Sequence, residues 1–194
     1  MNITMPSSFI VSDIILTHNT PAYYTESLNL AGRSIDRGIH RVDGSFTVTT
    51  ESNADKRALE AFLLKVRGRL NPFYLDLPDR FKSDTVLSSF IQANVAGTAG
   101  DNTISLDAFS GSIAAGDMFN ILNDDKTYLA LSDLTGSGTI DIFPPVRQNF
   151  VDNSQLDFLT PKLLVRFRED VQSVNYTYGG LIHTSTFNWI EALS

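Results

Sequence analysis

Histidines are the first side chains in this sequence that could support catalysis or metal binding. They are His18, His40 and His183, and no two of them have the H-x-H or H-x-x-x-H spacing that is typical of metal ligands. His183 begins a strand-like run, where a half-buried structural histidine is more common than a catalytic one. We therefore predict neither a histidine metal site nor a catalytic histidine.

Acidic residues stand close together at three places in the sequence: Asp76 with Asp79, Asp124 with Asp125, and Glu169 with Asp170. A glycosidase needs two carboxylates at a fixed separation across a pocket. A calcium loop needs D-x-[DN]-x-[DN]-G, and a nucleophile elbow needs G-x-S-x-G; the sequence has neither. N-D-D-K at residues 123–126 is most simply a solvated turn. We predict no catalytic, cofactor-binding or metal-binding residues, and thus no enzyme.

Two further clusters could contact a ligand. One is basic: Lys65, Arg67 and Arg69. At the end of a helix these charges already have a favourable partner in the helix dipole, so a phosphate is not needed to explain them. The other cluster is aromatic: Tyr176, Tyr178, Phe187 and Trp189. Such residues stack on sugars or fill a core, and we favour a core or a subunit interface.

The composition excludes several classes of protein. With no cysteine, the chain has no disulfide and no thiol chemistry. The 15 basic and 22 acidic residues give a formal charge of −7, which argues against a tight grip on nucleic acid. Such a surface is compatible with DNA that passes without binding. No apolar run approaches the roughly 20 residues of a membrane helix, so we expect no membrane insertion.

One segment, residues 53–67, has the pattern of an amphipathic helix. Its apolar residues form a single stripe at i, i+3, i+4 and i+7: Leu59, Phe62, Leu63 and Val66. Ser52 or Asn53 can cap the N-terminus of this helix. Gly68 suits the position just after its C-terminus.

The rest of the chain alternates as short β-strands do. Strands are predicted in SFIVSDIIL, GSFTVTTE and NPFYLDLPD, and a weaker one in DRGIHRVDG. V-D-G at residues 42–44 predicts a hairpin turn between DRGIHRVDG and GSFTVTTE. Shorter strands between glycine-rich turns fill residues 84–160, in TISLDAF, MFNIL, TYLALSD and TIDIF. Longer strands return in KLLVRFRED, VNYTYG and IHTSTFNWIEAL. This order predicts one domain from residues 1–83 and 161–194, with a small barrel from residues 84–160 inserted in it.

Several motifs follow one another in order between residues 32 and 170. L-E-A-F-L-L-K-V-R-G-R precedes F-Y-L-D-L-P, and G-D-M-F, K-T-Y-L-A and I-D-I-F-P-P-V-R follow. In this order they resemble the distal tail (Dit) proteins of siphovirus-type phages, in the compact form from phages of Gram-negative hosts. Val66 and Val146 stand where that family prefers leucine. The matching residues are Leu59, Phe62, Leu63, Arg67, Gly68, Arg69, Phe73, Leu75, Leu77, Pro78, Gly116, Asp117, Phe119, Lys126, Tyr128, Pro144, Pro145 and Arg147.

The resemblance implies a fold and a role. The fold would be mainly β with one α-helix: a discontinuous β-sandwich or half-barrel domain that carries the helix, and an inserted, OB-like small β-barrel. The role would be that of a structural protein in the tail tip of a virion, assembled in the host cytoplasm. Six copies would form a ring that joins the tail tube protein to the baseplate hub protein. The tape-measure protein and, in passing, DNA would occupy the channel during host attachment and genome ejection.

Three alternatives stay open at this point. The inserted barrel could bind a saccharide or another tail protein, since small barrels often carry ligands on one face. The chain could form another tail ring, as tube and terminator proteins do. A tail-associated glycan hydrolase would need paired carboxylates in a deep cleft. Residues 1–31 and 171–194 match no motif that we identify.

Overall fold

A computed structural model describes residues 3–83, 90–174 and 182–193 of the 194-residue chain. These residues contain sixteen β-strands, one α-helix and one 3-10 turn. The predicted fold class is confirmed, because the protein is mainly β with a single helix in its described part and has a sheet curled into a half-barrel. The OB-like architecture of the middle segment stays a prediction.

The elements fall into three parts along the chain. The first part contains β1 (Ile3–Thr4), β2 (Ile10–Asn19), β3 (Ala22–Glu26), β4 (Gly32–Asp36), β5 (Arg41–Thr50), α1 (Asn53–Val66), β6 (Phe73–Asp76) and the 3-10 turn (Asp79–Phe81). The middle part contains β7 (Ile91–Gln92), β8 (Thr103–Leu106), β9 (Ser112–Ile113), β10 (Met118–Ile121), β11 (Thr127–Ala130), β12 (Leu134–Thr135), β13 (Gly138–Phe143) and β14 (Gln155–Asp157). The last part contains β15 (Lys162–Phe167) and β16 (His183–Glu191).

The first sheet combines strands from both ends of the chain, in the order β1-β6-β15-β16-β5-β2. Only the β1–β6 pair is parallel among these described strands. Alternating residues of the strands and the apolar stripe of α1 form one core that is dominated by aromatic rings: Phe46, Phe62, Phe73, Phe167, Phe187 and Trp189. Phe62 meets Phe73 edge to face at 5.2 Å, so the helix covers one side of this sheet.

The ends of α1 follow the sequence signals closely. Ser52 is the N-cap, and its side chain accepts a hydrogen bond from the backbone N–H of Asp55 at 3.1 Å. The last helical residue is Val66, one residue before the predicted end, because Arg67 is left-handed with φ 54°. Gly68 follows with φ +62°, and a Cβ there would lie 2.7 Å from the Cα of Asp170. Glycine is therefore required by both conformation and space.

The hairpin turn predicted at residues 42–44 is wrong. Val42 and Gly44 lie inside β5, which pairs with β2 on one side and β16 on the other. β2 bulges between Ser12 and Ile15, so its backbone comes unusually close to β5. A Cβ on Gly44 would lie 1.8 Å from the carbonyl oxygen of Ile15. This glycine therefore serves the close approach of two strands and not a turn.

The second sheet comes entirely from the middle part, in the order β7-β14-β10-β11-β13-β8, and its described pairs are antiparallel. β9 pairs with β12 beside it. Phe119 stacks on Phe158 and Tyr128 in a separate core, with ring centroids 4.5 and 5.6 Å apart. The backbone N–H of Ser83 donates to the carbonyl of Phe158 at 3.2 Å. The chain therefore leaves the first sheet and returns to it at nearly the same point.

The two sheets also contact each other. Met118 belongs to the core of the first sheet, and Leu129 packs against that core, although both residues lie in strands of the second sheet. The division at residues 83/84 and 160/161 stays a prediction, since residues 84–89 lie outside the described part. In that part, no helix is both long and apolar enough to cross a bilayer.

Candidate functional site

Among the described elements, the most exposed is a hairpin that we call the arm, residues 22–36. β3 and β4 are antiparallel, with Ala22 opposite Asp36 at the base and Glu26 opposite Gly32 at the turn. Every residue of the two strands and of the turn between them is exposed. The turn is closed by Ser27, whose N–H donates to the carbonyl of Ala31 at 3.0 Å. The arm connects β2 to β5, and its two strands form a small sheet of their own outside the first sheet.

The arm carries apolar side chains on its surface. They are Tyr23, Tyr24, Leu28, Leu30 and Ile35. Leu28 at the tip is 107% exposed and Leu30 is 80% exposed. A two-stranded hairpin without a covered face is marginally stable in water, and grouped exposed apolar residues mark interaction surfaces. The arm is therefore the best candidate for a functional surface in the described residues.

Two histidines meet at the base of the arm. Nδ1 of His18 lies 3.0 Å from Nε2 of His40, and the His40 ring packs edge to face on Phe143 at 4.8 Å. Burial, together with the charges of Lys126 and His18, lowers the pKa of His40 to about 4. The ring is therefore neutral at pH 7, and the pair holds the chain that enters β5 against the second sheet.

A buried ion pair lies behind these histidines. Nζ of Lys126 lies 2.6 Å from Oε2 of Glu191, and both side chains are almost fully buried. The same carboxylate oxygen accepts the N–H of Val42 at 2.9 Å, and Nζ of Lys126 also donates to the carbonyl of His40 at 3.4 Å. Burial lowers the pKa of Lys126, and Glu191 opposes that shift. The pair thus joins the turn before β11 to β16 and β5, across the contact between the two sheets.

An apolar groove of about 970 Å³ lies at the other edge of the first sheet, between β1 and α1. We call it the helix groove. Ile3 and Pro6 line one side, and small or exposed helix residues line the other: Ala58, Ala61 and Leu64. Lys65 and Arg67 stand at its rim. A second cleft of about 640 Å³ lies between the two sheets and contains His40, Arg41, Lys126 and Arg147.

The structure gives the acidic pairs structural roles. Asp124 accepts hydrogen bonds from the backbone N–H of Lys126 at 2.9 Å and from the hydroxyl of Tyr128, so it closes its own turn. Asp79 pairs with the half-buried Lys82 at 2.6 Å, and Asp76 pairs with Lys162 at 3.5 Å on exposed surface. Asp170 accepts the N–H of Arg69 at 3.3 Å. These contacts give Asp76, Asp79, Asp124 and Asp170 local structural partners.

The third histidine and the basic residues predicted from the sequence lie in different places. His183 stands opposite Thr50 at the start of β16, far along the chain from the other two histidines. The described residues contain no group of three or more His, Asp or Glu side chains that could hold a metal ion. Arg69 donates to the carbonyl of Arg168 at 2.6 Å, whereas Lys65 and Arg67 face the helix groove.

The aromatic cluster is brought together only in part. Phe187 and Trp189 are buried in the core of the first sheet, as the preference for a core predicted. Tyr176 and Tyr178, with the predicted strand VNYTYG, lie outside the described residues.

The arm was missed by sequence reasoning, because A-Y-Y-T-E and G-R-S-I-D show no apolar face for a sheet to bury.

Comparisons with known proteins add no assignment. No protein family model matches the sequence, and no curated protein matches it.

Proposed function

We propose that this chain is a structural protein of a phage tail tip, in which six copies form a closed ring around a channel. The ring would join the tail tube protein to the baseplate hub protein, and the tape-measure protein and DNA would pass through it. Assembly would take place in the host cytoplasm, and the final location would be the virion. The protein would have no catalytic activity.

The arm is the observation that carries this proposal. Its apolar side chains are uncovered in a single subunit, so the subunit is complete only when something covers them. A closed ring of identical subunits requires two different patches that fit each other, one on each side of the subunit. A projecting arm at one edge of the sheet can supply one of these two patches, since it can reach a neighbouring copy.

The layout of the chain gives further support. Many of the residues whose order resembles the distal tail family are buried, whereas Arg67, Arg69 and Gly116 are exposed. Leu59 and Phe62 fix the helix to the sheet, and Phe73, Leu75 and Leu77 are buried beneath it. The formal charge of −7 favours a channel that DNA passes without binding.

The saccharide-binding alternative has less support. A sugar site on the middle segment would need aromatic rings grouped on its surface, yet Phe119, Tyr128 and Phe158 are buried in its core. Phe90, at 50% exposure, is the one exposed large aromatic side chain of the described residues in that segment. Tube and terminator proteins would also form rings, so only their location along the tail would distinguish them from a tail-tip protein.

The proposal is tested by mass and by location. In solution or in the isolated tail tip, we expect a species six times the 21.4 kDa subunit mass. Imaging of virions labelled on this chain should place it on the tail axis at the distal end. A chain that remains monomeric in the particle, or that lies away from the axis, would contradict the proposal; label along the whole tube would favour the tube alternative.

A further inference from the structure

The helix groove is an apolar surface that nothing covers among the described residues of the subunit. Ala58 and Ala61 on its helix side are small, and a groove of about 970 Å³ lies between β1 and α1. Leu64 points out of the helix with 76% of its surface exposed. An apolar groove beside an exposed leucine marks a place where another chain can dock.

The charges of the groove and of the arm tip are complementary. Among the described residues, the groove lining includes two cations, Lys65 and Arg67, and no carboxylate. The tip of the arm, residues 26–32, has one charged residue, Glu26, and presents Leu28 and Leu30 beside it. An apolar tip with a single acid therefore fits an apolar groove with a basic rim.

The two surfaces lie at opposite edges of the same sheet. The arm follows β2, at one end of the strand order, and the groove lies beside β1, at the other end. None of the described residues that line the groove belongs to the arm, so the arm does not cover the groove of its own subunit. The groove is therefore open to the arm of a neighbouring copy.

We propose that the arm of one subunit docks in the helix groove of the next copy, with Leu28 and Leu30 against Leu64 and with Glu26 near Lys65. The contact is head to tail, because it joins two different patches. This inference rests on the proposed ring and names the surfaces that close it.

Leu64→Glu tests the groove directly. Since Leu64 is exposed, the variant should fold normally, and its circular dichroism and thermal midpoint should match those of the wild type. We expect the concentration needed for ring assembly to rise at least about tenfold, because a carboxylate in the groove faces Glu26. Val151→Glu is the matched control, since Val151 is 73% exposed and lies in the middle segment; it should assemble as the wild type does.

A charge exchange and a crosslink give independent readouts. Glu26→Lys should weaken assembly, and adding Lys65→Glu should restore it. Because the chain has no cysteine, Leu28→Cys combined with Leu64→Cys introduces the only two thiols of the variant. Oxidation of that variant should yield a ladder of linked subunits, whereas Leu28→Cys with Val151→Cys should not.

The outcomes separate this inference from the ring itself. One set of results would show that the arm docks elsewhere and that the inference is wrong. In it, Leu64→Glu assembles normally, the charge exchange has no effect and no ladder forms, yet removal of residues 22–36 abolishes the ring. If wild-type protein never forms a ring, in solution or in tails, the proposed function fails, and this inference fails with it.

Discussion

Gly44 is a residue at which the first sheet tolerates little change. A Cβ there would overlap the carbonyl oxygen of Ile15, which the bulge of β2 holds against β5. We expect Gly44→Ala to lower the free energy of unfolding by at least about 2 kcal/mol, because the backbone of one strand must move. Chemical denaturation measures the change.

Gly38→Ala is the control for that experiment. Gly38 has φ +64°, but a Cβ there would meet nothing within 4 Å. Its substitution should cost only the left-handed backbone strain of about 1 kcal/mol. Equal effects of the two substitutions would mean that the close approach at Gly44 is unimportant.

His40 predicts a pH dependence of stability. Its pKa is about 4 in the folded protein against 6.5 in an unfolded chain, so the unfolded chain takes up a proton first as the pH falls. The stability contributed by the neutral ring is complete above pH 6.5 and is lost progressively towards pH 4. For a half-buried ring we expect a loss of about 1–2 kcal/mol.

The measurement compares wild type with His40→Asn at two pH values, one near neutrality and one just above the folded pKa of about 4, by chemical denaturation. Carboxylates contribute equally in both proteins, so the difference between the two pH dependences belongs to His40. A variant that loses as much stability as the wild type over this range would show that the histidine is not responsible.

Single residues were predictable where their role is local. Gly68 was placed correctly because a helix end asks for glycine at that position. Gly44 was misassigned because its requirement comes from Ile15, on another strand that no local pattern identifies. The His18–His40 contact was missed for the same reason, since 22 residues separate the two rings in sequence.

At the scale of elements, the cap of α1 offers a clear test. Ser52 accepts the otherwise unpaired N–H of Asp55. We expect Ser52→Ala to destabilise the protein by about 1 kcal/mol, and Ser52→Asn to restore most of that loss, because asparagine caps equally well. Thermal unfolding followed by circular dichroism measures both; an alanine variant as stable as the wild type would mean that water replaces the cap.

The helix was predictable and the arm was not, for a physical reason. α1 buries a stripe, and burial leaves a periodic pattern in the sequence. β3 and β4 bury no face within the subunit, so selection for a core has left no alternation at residues 22–36. Strands that bury no face within their own chain cannot be recognised from its hydrophobic periodicity.

At the scale of the whole molecule, we expect the two sheets to unfold together. Met118 and Leu129 of the second sheet contact the core of the first, and the Lys126–Glu191 pair would be broken if either sheet unfolded alone. Breaking a buried ion pair costs about 3–5 kcal/mol, which couples the two parts. A single transition should therefore be seen.

Trp189 makes the measurement simple, because it is the only tryptophan and lies in the core of the first sheet. Its fluorescence should change at the same denaturant concentration as far-ultraviolet circular dichroism, which reports on both sheets. Calorimetric and van't Hoff enthalpies should also agree. A fluorescence midpoint separated from the circular dichroism midpoint would show that the sheets unfold independently.

The pairing of both chain ends in one sheet was predictable, because longer strands return after residue 160. The order of the six strands was not, because it depends on contacts between distant segments. Nor did the sequence indicate the ion pair between Lys126 and Glu191, since a lone lysine in a turn is normally solvated.

The hydrogen bond between Ser83 and Phe158 has a consequence for how such proteins can diversify. Where a polypeptide departs from a scaffold and rejoins it across a single hydrogen bond, the piece in between can lengthen, shrink or be exchanged while the scaffold keeps its dimensions. Variation can therefore accumulate in the intervening piece, except at Met118, Leu129 and Lys126, which contact the first sheet or its ion pair.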